Sequence, residues 1–185
     1  MPSARAQPSG SAPSITEATR QAVSVGWLHT GDGAEEDEDG HVRIVDRKKD
    51  IIITSGGKNI SPSEIENGLK VSPYIKEAIV IGDNRKYLSA LIQIDFDNVG
   101  KWATDNRIPY TNFRNLSQNP QVKDLIQAEV DEVNRRFARV ENVRKFHLLT
   151  KELDHDEDEI TATMKVRRKN IYKKLAKELE SIYGS

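Results

Sequence analysis

A chain of 185 residues, 36% of them hydrophobic, can bury one modest core with appendages and cannot hold a large two-domain enzyme. Its 28 Lys plus Arg stand against 29 Asp plus Glu, and the net charge of -1 offers no global attraction to nucleic acid or to an anionic membrane surface. There is no cysteine, which excludes disulfides, thiolate zinc sites and cysteine nucleophiles and fits a reducing compartment.

The first fourteen residues, MPSARAQPSGSAPS, are rich in Pro, Ser, Gly and Ala, lack the apolar core of a signal peptide, and read as a disordered tail. From Ile15 the chain becomes helix-compatible and then meets GWLHTGD. The acidic GAEEDEDG follows, and its Asp39-Gly40 step ahead of HVRIV predicts a β-hairpin over Thr30 to Val45. After the charged DRKKD, the β-branched IIIT predicts a packed strand from Ile51 to Ile53, and SGGKN a loop with two residues free to take positive φ. Ser61, Pro62 and Glu64 mark a helix start, with Ser as N-cap and Pro at the first helical position, in a helix running to Leu69.

Two strands are predicted next, from Glu77 and from Ser89, separated by a polar DNRKY turn. Asp97 to Ala138 is helical, broken by proline and asparagine around IPYTNF and NLSQNP. Strand character returns over Lys145 to Thr150, then the acidic loop DHDEDE, then one basic amphipathic helix with Ile171, Leu175, Leu179 and Ile182 three or four apart. This order predicts an α+β fold, a small domain with a β-hairpin and a short, mainly three-stranded sheet covered by helices. No apolar run approaches the roughly eighteen residues of a membrane-spanning helix.

The glycine pair in GGKN invites comparison with a phosphate-cradling loop, G-x-x-x-x-G-K-[ST]. It fails at two positions: Ile52 stands five places before Gly57, and Asn59 follows Lys58. A tight turn is the plain reading of Gly56-Gly57. The histidines at 29, 41, 147 and 155 are scattered, so no metal site is expected, and DHDEDE lacks the glycine and spacing of a calcium loop. TMKVRRKN gathers Lys165, Arg167, Arg168 and Lys169, with Lys173 beyond, at the start of the last helix. Cations are unfavourable there unless something answers them, and both the DHDEDE carboxylates and an external anion could do so.

Taken in order and spacing, GWLHTGD, DRKKDIIITSGGKNISPSEIE, YIKEAIVIGDNRKYLSALIQID and ITATMKVRRKNIYKK resemble the C-terminal part of an AMP-forming acyl-CoA synthetase of the long-chain fatty acid type. The resemblance runs from Ile15 to the end. The DRKKD and KVRR segments and the long helical insertion from Asp97 to Ala138 carry its long-chain aspect. It implies a ligase that joins a fatty acid to ATP, releases pyrophosphate and then passes the acyl group to coenzyme A, with Mg²⁺ accompanying the nucleotide.

The resemblance also implies an organisation: residues 15–48 as the end of a large N-terminal domain, leading to a hinge, and 49–185 as a mobile C-terminal domain. Asp32 and Arg47 are then nucleotide-binding at the ribose, Lys49 is the hinge, Gly56, Gly57 and Lys58 form the coenzyme A loop, and Lys165 is the catalytic lysine of adenylation. Two departures from the family pattern bear on local geometry, Ala162 in place of a proline and Gly33-Ala34 in place of an apolar residue and a glycine. The family's phosphate loop and acyl pocket do not occur in these residues. The chain is therefore not expected to adenylate without an N-terminal domain, supplied in cis or in trans, and a cytoplasmic setting, with room for peripheral membrane contact, is implied. A non-catalytic interaction module that keeps the fold is the alternative.

Overall fold

The structure, a computed structural model, describes residues 23–24, 27–28, 30–47, 50–161 and 165–184. The tail, the helix expected from Ile15, His29 and Lys49 lie outside the described residues. The chain divides into two compact units, residues 1–49 and 50–185.

In the first unit β1 (Val23–Ser24) pairs antiparallel with β2 (Trp27–Leu28), and β3 (Asp32–Glu36) with β4 (Val42–Arg47). The expected hairpin is present, reaching two residues further than Val45. Its turn closes because the Asp37 carboxylate accepts the Asp39 and His41 N–H groups at 3.0 and 2.8 Å, while Gly40 takes the left-handed φ of 82°. The register shifts between Gly33 and Ala34, so the departure noted there sits at a β-bulge.

The second unit opens with β5 (Ile52–Ile53) and β6 (Asn59–Ile60), an antiparallel pair closed by the SGGKN loop, and continues into α1 (Pro62–Leu69). The expected strand and loop are thus one small hairpin. Within the apolar run only Ile52 is buried, and Ile53 is 49% exposed, so Ile51 to Ile53 do not pack as a block. Ser61 and Pro62 occupy the N-cap and first-turn positions, but the Ser61 side chain makes no cap hydrogen bond.

A three-stranded sheet follows, in the order β7 (Ile75–Ile81), β8 (Leu88–Ile94), β9 (Val143–Leu148). β7 and β8 are antiparallel, whereas β9 lies parallel to β8 and needs a long crossover. The segment Phe96 to Asn134 supplies it as α2 (Phe96–Asp105), α3 (Phe113–Ser117) and α4 (Pro120–Asn134). The asparagines that read as helix breakers, Asn112 and Asn119, are N-caps, accepting the N–H groups of Asn115 and Gln121, and Asp95 caps α2 in the same way by accepting the Asn98 N–H.

Every residue of β8 is buried because the strand separates two apolar clusters. Ala90, Ile92 and Ile94 join α1, α2 and α4 residues such as Ile65, Leu69, Val99 and Ile126 on one side. On the other, Leu91 meets Ile79, Ile81, Leu149, Ile171, Leu179 and Ile182. The two polar residues in the strand are answered: Ser89 donates to the Tyr183 hydroxyl at 2.6 Å, and the Gln93 amide oxygen accepts the Leu153 N–H at 3.1 Å.

The single C-terminal helix that the periodicity predicts is two, α5 (Arg168–Lys174) and α6 (Ala176–Tyr183), broken at Leu175 where φ is -101° and ψ 25°. With that break Ile171, Leu179 and Ile182 all lie in the same cluster against the sheet. Ile92→Ala is expected to lower unfolding stability by about 2–5 kcal/mol, the range for deleting a large buried aliphatic group, while Ile53→Ala changes it by less than about 0.5 kcal/mol; urea denaturation measures both.

Candidate functional site

Asp32 and Arg47 are Cα partners on the β3–β4 ladder, so antiparallel pairing alone sets the two residues assigned to the nucleotide opposite each other. Asp32 is exposed and its N–H is held by the Thr30 hydroxyl at 3.2 Å, just after Gly31, whose φ of 78° turns the chain into the strand. The Arg47 side chain and the whole of Lys49 lie outside the described residues.

The loop assigned to coenzyme A is organised by Thr54. Its carbonyl accepts the Gly57 N–H at 2.8 Å, its hydroxyl accepts the Lys58 N–H at 3.2 Å, and its own N–H donates to the Lys58 carbonyl at 3.1 Å. Gly57 sits at φ 75°, so the backbone itself asks for glycine there. Gly56 has no such φ, and a Cβ on it would meet only the Thr54 hydroxyl at 3.9 Å. Lys58 is exposed. The polar DNRKY turn braces this hairpin: Asn84 N–H donates to Ile53 O at 2.8 Å and Ser55 N–H to Arg85 O at 3.0 Å. Arg85 in turn stacks 4.7 Å from the Tyr183 ring centroid and pairs with Glu180 at 2.5 Å. A charged turn next to a glycine loop is a weak signal, and its bracing role is visible only in three dimensions.

Lys165 lies on one limb of a second small hairpin, beside the antiparallel Ile160–Val166 bridge. Thr161 N–H donates to Lys165 O at 2.8 Å, Lys165 N–H to the Thr161 hydroxyl at 3.0 Å, Ile160 bridges Val166, and Arg167 N–H reaches Glu159 O at 2.8 Å. Lys165 is exposed, and among the described residues its ammonium has no partner. Ala162 falls outside the described residues.

The question of what answers the neighbouring cations has two replies within the fold. The acidic loop takes part of them: Arg167 pairs with Asp158 at 2.7 Å, and Lys174 meets Glu157 at 3.0 Å and Glu159 at 3.2 Å. Arg168 turns inward instead, to Glu66 in α1, a residue that no sequence signal marked. Its Nη2 spans both oxygens of Glu66 at 2.7 and 2.5 Å, and its Nη1 donates to Val80 O at 3.3 Å. Glu66, 7% exposed, also accepts the Val80 N–H at 2.7 Å. Burial pushes its carboxyl above the ordinary range against the opposing pull of Arg168. Burial also works against the Arg168 charge, but the Glu66 carboxylate outweighs it and holds that charge firmly. The one group of three possible metal ligands among the described residues is Asp37, Asp39 and His41, all exposed in the hairpin turn whose geometry they already explain.

Hydrogen bonds from Lys151 and Lys174 hold the Glu157 carboxyl below the ordinary carboxylate range. A depressed pKa means stability that is present above the unfolded value and lost as pH falls through the folded one. Carboxyl NMR titration of Glu157 is expected to show a midpoint below that of an exposed glutamate, and Lys174→Ala to move it upward.

Residues 49–185 match the family model described as the AMP-binding enzyme C-terminal domain. The long-chain-fatty-acid–CoA ligase FadD15 of Mycobacterium tuberculosis is 38% identical over 169 residues, which cover 91% of this chain and 28% of that protein. The long-chain-fatty-acid–CoA ligase ACSBG2 of Gallus gallus is 31% identical over 189 residues, covering 92% of this chain and 25% of that one. This chain therefore spans about a quarter of the length of these curated relatives. Among solved structures, the adenylation domain of a carboxylate reductase from Mycobacterium chelonae shares the fold with a TM-score of 0.76 at 21% identity, over 93% of this chain and 25% of that one. With the matched model spanning both the glycine hairpin and the Lys165 hairpin, the chain belongs to the AMP-binding enzyme C-terminal domain family.

Proposed function

We propose that this chain supplies the C-terminal part of a long-chain fatty-acid–CoA ligase, which converts a fatty acid, ATP and coenzyme A to acyl-CoA, AMP and pyrophosphate. The observation that carries the reading is Lys165: it is exposed on a braced hairpin limb while Arg167, Arg168 and Lys174 are all paired. The long-chain aspect follows from the likeness to the two ligases named above.

In the first half-reaction an oxygen of the fatty-acid carboxylate attacks the α-phosphorus of ATP and the bond to pyrophosphate breaks. Lys165 offers a compact ammonium on a flexible stem to the negative charge that builds up there. Asp32, with two acceptor oxygens, suits the vicinal hydroxyls of the ribose, and Arg47 opposite it provides donors to the same group. In the second half-reaction the thiol sulfur of coenzyme A attacks the acyl carbon, AMP leaves, and the thiol proton is released. The Gly56-Gly57-Lys58 turn lets the pantetheine arm lie close to backbone, and rotation at Lys49 exchanges the two hairpins at the site. Mg²⁺ belongs with the nucleotide phosphates. The residues described here hold no cluster of oxygen ligands near Lys165, so no step of this chain is assigned to the metal.

The test combines the full chain, in trans or fused, with the AMP-binding N-terminal part of a relative such as FadD15, ATP, Mg²⁺, coenzyme A and a long-chain acid. Acyl-CoA formation is expected only when both parts are present. Lys165→Ala should reduce adenylation, followed by pyrophosphate release, by about two orders of magnitude, the scale of removing one preorganised charge at a developing anion. Gly56→Leu should slow thioester formation more than adenylation, with the unfolding midpoint unchanged. Equal slowing of both half-reactions would remove the coenzyme A assignment, and a fully active mixture carrying Lys165→Ala would remove the catalytic one.

A further inference from the structure

Glu66 and Arg168 stand 102 residues apart and form a buried ion pair whose partners belong to the two hairpins' flanking elements. Glu66 lies in α1, which follows the glycine hairpin after a single residue, and Arg168 is the first residue of α5, three positions after Lys165. Between them is Val80, in the outer strand of the sheet, with its N–H bonded to Glu66 and its C=O to Arg168. Four groups thus close on one another: a carboxylate, a guanidinium and both polar groups of one peptide position. Tyr172, one helical turn beyond Arg168, is half-buried, and burial pushes its hydroxyl pKa up against the opposing pull of the Arg168 guanidinium.

Such a pair is a poor source of stability, because the cost of taking both charges out of water consumes most of their attraction. What it provides is direction. α5 has seven residues and no side-chain N-cap, so its own turns do little to set where it begins. The Arg168 side chain, held at both Nη atoms, fixes that start. Only Val166 and Arg167 intervene before Lys165, and Arg167 N–H and Val166 are tied to the opposite hairpin limb at Glu159 and Ile160. A shift of Arg168 therefore moves the hairpin limb that carries Lys165.

We infer that Glu66 is a positioning residue for adenylation, setting the place of Lys165 through Arg168. The inference rests on the catalytic reading of Lys165 given above. Glu66→Gln is the informative change, since an amide keeps an acceptor for the Val80 N–H and the side-chain volume but gives up the charge that orients Arg168.

In the reconstituted ligase described above, with this full chain, Glu66→Gln is expected to slow acyl-adenylate formation by about tenfold to a hundredfold, the scale of a misplaced reacting group. Transfer to coenzyme A from acyl adenylate supplied preformed should change by less than about twofold, because a loss confined to one half-reaction marks an interaction made in that transition state. Amide resonances of Lys165 to Arg167 should shift in the same variant, and the resonances of Thr54 to Lys58 should not. Arg168→Lys, which keeps a charge but not the two-pronged contact, should fall between wild type and Glu66→Gln in adenylation. If Glu66→Gln leaves adenylation intact while Lys165→Ala abolishes it, or if it slows both half-reactions equally, the positioning role is overturned and the catalytic lysine stands. If Lys165→Ala itself leaves adenylation intact, the reading beneath the inference fails and the inference fails with it.

Discussion

The outer edge of β7 is the constraint from which the placement of the other elements follows. A three-stranded sheet has open edges, and an edge peptide that becomes buried must find partners or cost several kcal/mol. At Val80, fully buried, the partners are side chains rather than another strand: Glu66 for the N–H and Arg168 for the carbonyl. A carboxylate and a guanidinium can meet those demands and each other's at once, because one has spare acceptors and the other spare donors in a planar fork. The element before β7 and the element after the acidic loop are thereby obliged to approach the same point of the sheet.

Cohesion and placement come from different interactions in this domain. The apolar clusters on the two faces of β8 supply the former, with Leu91, Ile92 and Ile94 all inaccessible to solvent. Apolar contacts are tolerant of small sliding movements and do not by themselves fix a hairpin tip to within a fraction of an ångström. The hydrogen-bonded charges do. Arg85 links the turn that braces the glycine hairpin to α6, Glu159 gathers Lys151 and Lys174 at the base of the lysine hairpin, and Arg168 anchors its far limb. Each candidate loop is thus a short segment on a charged footing, with Gly56, Gly57, Lys58 and Lys165 exposed to solvent.

Much of this was legible in sequence where a single local signal suffices. The Asp39-Gly40 turn, the Pro62 helix start and the two strands read from Glu77 and from Ser89 with a polar turn between them follow from local chemistry of a few residues. The signals that misled were those whose meaning depends on distant partners. Asn112 and Asn119 read as breaks because an N-cap and a helix stop look alike until the following N–H groups are placed. The periodic Ile171, Leu175, Leu179 and Ile182 predicted a single helix, since spacing cannot reveal a bend that still delivers all the apolar groups to one cluster. Glu66 was passed over because a glutamate on a helix is usually solvated, and only the appearance of Arg168 beside it shows why a carboxylate stands on the buried face. For the candidate site, the glycine turn and the exposed Lys165 lie within the described residues, whereas Lys49 and the Arg47 side chain do not.

The two loop glycines are not equivalent, although they looked alike as a pair. Gly57 lies at a positive φ in a turn closed by Thr54, and that backbone would select glycine in a protein with no ligand at all. Gly56 has neither an unusual φ nor a crowded Cβ position, so the folded chain gives no reason for its lack of a side chain. A glycine in an exposed turn also costs backbone entropy relative to alanine. Under the proposed function the reason is the coenzyme A arm approaching from outside the fold, and Gly56, not Gly57, is then the residue through which the hairpin's role in ligand contact can be separated from its role as a turn.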